Sequence, residues 1–294
     1  MYRYALCGFI FDEMEKSILY QNKKISYQTI GSGKPVMLIH GFGEDGSVWK
    51  NQVEYLKNKF HIIVPDLPGS GQSEMIDDMS MEGMSEVLHM IIHKELIDIS
   101  ESPQVPPPGG FRGDCTVIGH SMGGYITLAL VEKYWNHIFA FGLFHSTAFA
   151  DSEEKKETRK KGIEFINQHG AFEFLKTSTP NLFSPNSISP EARPNSINDF
   201  IETLKDFTPN ALIAYYNAMM QRPDRTHILK NTKIPVLFIA GENDNAIPLY
   251  DVLKQCHLPE KSYFHVLKKS GHMGMMEEPE LANLILKDFL ENEN

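Results

Sequence analysis

Six consecutive residues, Gly119-His120-Ser121-Met122-Gly123-Gly124, constrain this chain more than any other stretch. The β-branched run Thr116-Val117-Ile118 enters them, and a helix-forming run from Tyr125 to Glu132 leaves them. A strand that turns within one residue into a helix strains the backbone at the turning residue, and only glycine fits the crowding two positions before and after it. Gly119 and Gly123 stand at those positions. The spacing predicts a nucleophile elbow, with the Ser121 hydroxyl thrust out at the end of a strand.

The chain around this turn reads as alternating strand and helix. Residues 17–20 and 24–30 alternate apolar and polar around Gln21-Asn22-Lys23, the pattern of an antiparallel hairpin. Residues 36–39, 61–64, 115–118, 138–144, 234–240 and 262–267 are instead short, mostly apolar runs rich in β-branched and aromatic residues, as expected of parallel strands covered on both faces. Helical patterns occupy 48–58, 84–97, 122–134 and 280–292. This order predicts an α/β sheet flanked by helices.

Two segments break the rhythm. Residues 100–114 carry Pro103, Pro106-Pro107-Pro108 and Gly109-Gly110, which suits an exposed loop. From 148 to 225 sheet-type strands vanish, and helical runs at 155–168, 171–176, 197–206 and 210–221 are punctuated by Pro180, Pro185, Pro190, Pro194 and Pro209. We read 148–225 as a helical cap inserted in a core made of 1–147 and 226–294, because loops at the carboxyl ends of parallel strands overhang the ligand crevice.

With 294 residues and 41% hydrophobic composition, the chain can bury a large core. A net charge of −10 argues against a nucleic-acid partner, which needs clustered cations. The one basic run, Lys155, Lys156, Arg159, Lys160 and Lys161, is interleaved with Glu153, Glu154, Glu157 and Glu164, and is expected to be a solvated helix face. Three scattered cysteines, Cys7, Cys115 and Cys256, suggest neither a disulfide scaffold nor a zinc knuckle. The apolar run 4–11 is short for an export signal and meets Asp12, Glu13 and Glu15, so a cytoplasmic protein without a membrane span is expected.

A serine hydroxyl is nearly inert until a base takes its proton and a carboxylate orients that base. His272, in Ser270-Gly271-His272-Met273-Gly274 after the last strand, is the candidate base, ahead of His265 within that strand and His257 in a connecting loop. Asp244, just past strand 234–240, is the candidate acid, with Glu242 and Asp251 as rivals. For the oxyanion, the amides of Met122 and of Phe42, in His40-Gly41-Phe42-Gly43, are the expected donors.

These pieces together resemble the α/β-hydrolase fold family. His40-Gly41-Phe42-Gly43 is similar to its oxyanion loop, Asp66-Leu67-Pro68-Gly69-Ser70-Gly71-Gln72-Ser73 to its D-x-x-G-x-G-x-S turn, and Gly119 to Gly124 to its elbow. Gly241, Asp244 and Pro248 match its acid loop, and Gly271-His272 its late G-H pair. The resemblance implies a mostly parallel eight-stranded sheet with an antiparallel strand near its start, and a lid that sets substrate choice. Residues 1–15 and the Pro-rich loop depart from the pattern. Asp66 and His120 are expected to be structural.

The function expected is a cofactor-free, metal-free serine hydrolase acting on a small to medium, largely uncharged ester or related acyl compound. Carbon-carbon bond hydrolysis of a dienol-ketone, which in this family uses the same three residues, is the alternative. A small-molecule sensor that keeps the triad is a third reading. His89 and His93, four apart on a helix, have metal-ligand spacing but lack a third ligand cluster in the sequence. Gly31-Ser32-Gly33-Lys34 precedes a strand rather than following one, so it makes a poor phosphate loop. Phe172, Phe174, Phe183, Met219 and Met220 are expected to be mostly cap core.

Overall fold

Gln21 and Asn22 lie at φ of 50° and 63°, the left-handed pair that a two-residue hairpin turn demands. They join Met14–Tyr20 (β1) to Lys23–Ile30 (β2), with Ile18 opposite Ile25. The computed structural model describes residues 14–100, 115–185 and 193–292. Residues 1–13, and the Pro-rich loop from 101 to 114, lie outside the described residues; Met14 and Glu15 belong to the hairpin.

Lys34–Ile39 (β3), Phe60–Pro65 (β4), Cys115–His120 (β5), Ile138–Phe144 (β6), Val236–Gly241 (β7) and Ser262–Leu267 (β8) complete an eight-stranded sheet in the order β1-β2-β4-β3-β5-β6-β7-β8. β2 meets β4 antiparallel, and every pairing from β4 to β8 is parallel. Every residue of β5 and β7 is buried, which accounts for runs that show no polar alternation. The expected strand at 234–240 starts two residues later, after Pro235, which has no N–H to give the sheet.

Helices fall into two groups around the sheet. Met81–Ser100 (α2) packs on Met122–Tyr134 (α3), while Lys50–Leu56 (α1) packs on the C-terminal helix Pro279–Asn292. The helix expected at 48–58 begins as a 3-10 turn, Gly46–Trp49, capped by the Asp45 carboxylate on Ser47 N–H.

Between β6 and β7 the chain forms Glu153–His169 (α4), Ala171–Ser178 (α5), Arg193–Thr203 (α6) and Pro209–Gln221 (α7), then Thr226–Asn231 (α8), with no strand among the described residues. Ser152 and Thr208 cap α4 and α7 by accepting from the amides of Lys155 and Ala211, and Pro209 occupies the first turn of α7, where a missing N–H costs nothing. Phe174, Phe183 and Met219 are buried, as their apolar character predicts.

One expectation for α4 is corrected. Lys155, Arg159, Gly162 and Ile166 fall on one stripe of the helix, and that stripe faces the protein. Arg159 is turned inward onto the buried Asp151, while Lys160 and Lys161 do stand in solvent. The interleaved glutamates had a solvated partner face to serve, but they did not fix where Arg159 points.

Candidate active site

Ser121 carries the strain that the flanking glycines announce. Its backbone sits at φ 50°, ψ −115°, and its N–H continues the sheet by donating to Phe144 O at 2.9 Å. A Cβ at Gly119 would lie 2.4 Å from the Gly123 carbonyl oxygen, and one at Gly123 would lie 2.5 Å from His40 O. The start of α3 therefore abuts the end of β3, and the amides of Met122 and Phe42 belong to two backbones in close approach.

His272 stands in the loop after β8, tied down on both sides. Its N–H donates to Leu182 O at 2.7 Å, and Glu277 Oε2 accepts the amides of Gly271 and Met273. The ring brings the three expected side chains into one line. Nε2 lies 2.8 Å from Ser121 Oγ, and Nδ1 lies 2.8 Å from Asp244 Oδ2. Asp244, past the end of β7, has its other oxygen filled by the amides of Ala246 and Ile247, each at 2.8 Å. Glu242 is exposed and Asp251 faces Lys254, so neither rival meets the imidazole.

Burial alone would raise the Asp244 carboxyl, but attraction to His272 and hydrogen bonds from two histidines outweigh it and hold the group well below the usual carboxylate range. Burial opposes charge on His272 as well. The Asp244 carboxylate more than offsets this, so the imidazole is raised above its ordinary value.

The second histidine on Asp244 is His145, which sequence reasoning passed over. It follows β6, sits at φ 49°, is fully buried, and places Nδ1 3.0 Å from Asp244 Oδ2. Gly241 N–H also aims at Nδ1, from 3.1 Å. One nitrogen cannot serve both: we assign it as donor to Asp244, because the other tautomer would set a ring lone pair against the carboxylate. Burial pushes His145 down to about 4, so the ring is neutral at pH 7, and among the described residues its Nε2 has no hydrogen-bond partner.

A second buried pair lies beneath the loop 40–43. Glu44 accepts from Gly41 N–H at 2.7 Å and meets His120 Nδ1 at 3.0 Å, while His120 Nε2 lies 2.9 Å from the His272 carbonyl. His120 thus bridges the loops that carry Phe42 and His272. Burial would raise the Glu44 carboxyl, yet His120 and the Gly41 amide bring it below the usual value. Asp66 accepts the amides of Gly46 and Gln72 and shapes the turn after β4.

Among the described residues, one trio has metal-ligand spacing: His145, Asp244 and His272, with ligand atoms within 4.8 Å of one another. Both imidazoles already donate a proton to the carboxylate there, so a cation would have to displace those protons. The donor set suits a proton relay better than an ion. His89 lies 6.4 Å from His93 and 5.3 Å from His137, ring to ring, and stacks on Tyr134 at 3.6 Å.

Above the loop 40–43, the Phe42 ring stacks on Tyr216 of α7 at 4.4 Å and meets Phe174 and Tyr215 edge-on. No helix among the described residues is long and apolar enough to cross a membrane.

A strained serine after the fifth strand, facing a histidine after the eighth in a mostly parallel sheet, defines a class of protein. Residues 36–283 match the sequence model described as "Alpha/beta hydrolase family", and the chain belongs to that family. It is 26% identical over 280 residues to the Karrikin insensitive 2 receptor IA of Petunia hybrida, covering 91% of this chain and 95% of the relative. It is 25% identical over 285 residues to a 2-hydroxy-6-oxononadienedioate/2-hydroxy-6-oxononatrienedioate hydrolase of Paraburkholderia phymatum, covering 91% of each. Among solved structures, the malate-bound thermophilic esterase of Thermogutta terrifontis superposes with a TM-score of 0.82 at 27% identity, over 96% of this chain and 99% of that one.

Proposed function

We propose that this chain is a serine hydrolase that cleaves a small to medium ester or related acyl compound through an acyl-enzyme. The observation that carries the reading is the unbroken relay of two 2.8 Å contacts from Ser121 Oγ through His272 to Asp244. Ser121 attacks the carbonyl as His272 Nε2 takes its proton, and Asp244 keeps the ring in the tautomer with Nδ1–H. The amides of Phe42 and Met122 hold the oxyanion, and His272 returns its proton to the leaving alcohol. Water, activated by the same ring, releases the acyl group.

Residues 148–225 act, in this reading, as a cap. Supporting that role, Phe174, Tyr215 and Tyr216 close over Phe42, and Leu182 O holds the His272 backbone. A fluorophosphonate probe tests the mechanism: it should label the wild type and not Ser121→Ala, and turnover of p-nitrophenyl esters should vanish in that variant. Undiminished turnover in Ser121→Ala would sink the reading.

A second reading, carbon-carbon bond hydrolysis, is favoured by the similarity to the oxononadienedioate hydrolase. It uses the same serine, histidine and aspartate, and a coloured ring-cleavage product offered beside a short p-nitrophenyl ester separates the two. The receptor among the relatives keeps a sensor in view; that reading requires single-turnover hydrolysis.

A further inference from the structure

We infer that Arg159 is an anion-recognition residue at the seam between α4 and the oxyanion loop, and that the substrate carries a free carboxylate. The inference rests on the hydrolase reading and names the class of substrate for it.

The charges around Asp151 do not balance. Its buried carboxylate accepts from Arg159 through Nε at 2.5 Å and Nη2 at 3.2 Å, and Arg222 Nη1 stands 2.8 Å away. Two guanidiniums share one carboxylate. Arg222 is otherwise satisfied: it donates to Met219 O and Phe149 O, and its guanidinium lies 3.8 Å from the centre of the Tyr125 ring. Arg159 is the surplus cation. Among the described residues its Nη1 has no acceptor, and its side chain keeps 17% exposure.

Its position is close to the Phe42 loop. The Arg159 guanidinium lies 5.5 Å from the centre of the Tyr216 ring, and that ring stacks on Phe42, the residue whose amide would hold the oxyanion. One aromatic ring therefore separates the surplus charge from the loop that grips the reacting carbonyl. Lys155, one turn earlier on the same inward stripe, donates to Ala246 O at 3.2 Å in the Asp244 loop and has no carboxylate partner among the described residues. Two cations on the inner face of α4 thus lie between the acid loop and the oxyanion loop, with Asp151 the carboxylate beside them.

Two guanidiniums on one buried carboxylate leave one positive charge unmatched, and a neutral ester gives it nothing in return. A carboxylate does, because a planar guanidinium edge binds one with two parallel charge-assisted hydrogen bonds. Half-esters of short dicarboxylic acids, and esters of hydroxy- or phenol-carboxylic acids, have this form. The inference replaces the expectation of a largely uncharged substrate, which rested on the phenylalanines and methionines of the cap and left Arg159 in solvent.

Two matched pairs test it. Mono-p-nitrophenyl glutarate against p-nitrophenyl pentanoate places the charge on the acyl side, and 4-carboxyphenyl butyrate against phenyl butyrate places it on the leaving group. In at least one pair the wild type should favour the anion by about tenfold or more in kcat/KM, the ratio a single charge-assisted contact gives. That ratio should fall toward one in Arg159→Gln, through KM, and be intermediate in Arg159→Lys. A wild-type ratio near one in both pairs, or a ratio that survives in Arg159→Gln, overturns the inference. Neutral-ester turnover and fluorophosphonate labelling without any charge preference would leave the hydrolase reading standing while this one falls. A binding measurement is independent of turnover and of the variant's folding: glutarate should raise the Tm of the wild type where 1,5-pentanediol does not, and equal effects of the two overturn the assignment.

Discussion

His145 and His272 direct their Nδ1 atoms at the same oxygen of Asp244, at 3.0 and 2.8 Å. The first ring stays neutral at pH 7 because burial holds it near 4; the second is raised above its ordinary value. The carboxylate is thus divided between a fixed donor and a titrating one. Removing the fixed donor in His145→Ala leaves Asp244 a stronger acceptor for His272, so the acid limb of kcat/KM against pH should move upward. A hydrogen bond of about 1 kcal/mol corresponds to a displacement of up to roughly 0.7 pH units. A variant whose turnover falls with an unmoved pH midpoint would make His145 a packing residue only.

The wild-type profile has a sign of its own. In the proposed mechanism His272 is active as the neutral base, so kcat/KM should rise as pH climbs through its pKa in the free enzyme. Burial disfavours the imidazolium, and the stronger pull of Asp244 puts that pKa above the unperturbed value of about 6.5. The midpoint should therefore lie above about 6.5, measured with an ester whose own ionisation is absent from that range. A midpoint near 5, or a flat profile from pH 5 to 9, contradicts the geometry.

Ser121, Asp244 and His272 were legible because each is announced locally by a glycine-bounded turn after an apolar strand, and because the topology sends such turns to one edge of the sheet. His145 had no such signal. It closes the apolar run of β6 and reads as one more core position; only its register, level with Ser121 on the neighbouring strand, could have singled it out. Arg159 was hidden by the glutamates around it. Its spacing of three and seven residues to the buried Gly162 and Ile166 was the available clue. The pairing of Glu44 with His120 joins residues 76 apart, and nothing in either local pattern specifies the other.

Glu44 supports the loop 40–43 through Gly41 N–H and steadies His272 through His120. Glu44→Gln keeps the shape but removes the charge facing His120. Loss of one partner from a buried pair costs about 3 kcal/mol or more, so Tm should drop by several degrees. Since the pair touches the loops that would act in the transition state of the proposed mechanism, kcat should fall more than KM rises. A variant with an unchanged kcat would show the pair to serve folding alone.

Asp151 separates a structural counter-ion from a binding cation. Asp151→Asn leaves Arg159 and Arg222 facing each other across a neutral amide, with Arg222 almost wholly buried, so the loss should be on the order of 3 kcal/mol. Arg159→Gln has the opposite effect on the balance: it leaves one guanidinium on one carboxylate and deletes only the surplus charge. It loses two hydrogen bonds to Asp151, but the repulsion between the two guanidiniums that the substitution relieves offsets part of that loss, so its cost should stay below that of Asp151→Asn. Urea unfolding of the two variants gives the order directly. If Arg159→Gln proved the more damaging, Arg159 would be holding Asp151 in place for the fold's sake, and its free Nη1 edge would have no role toward a substrate.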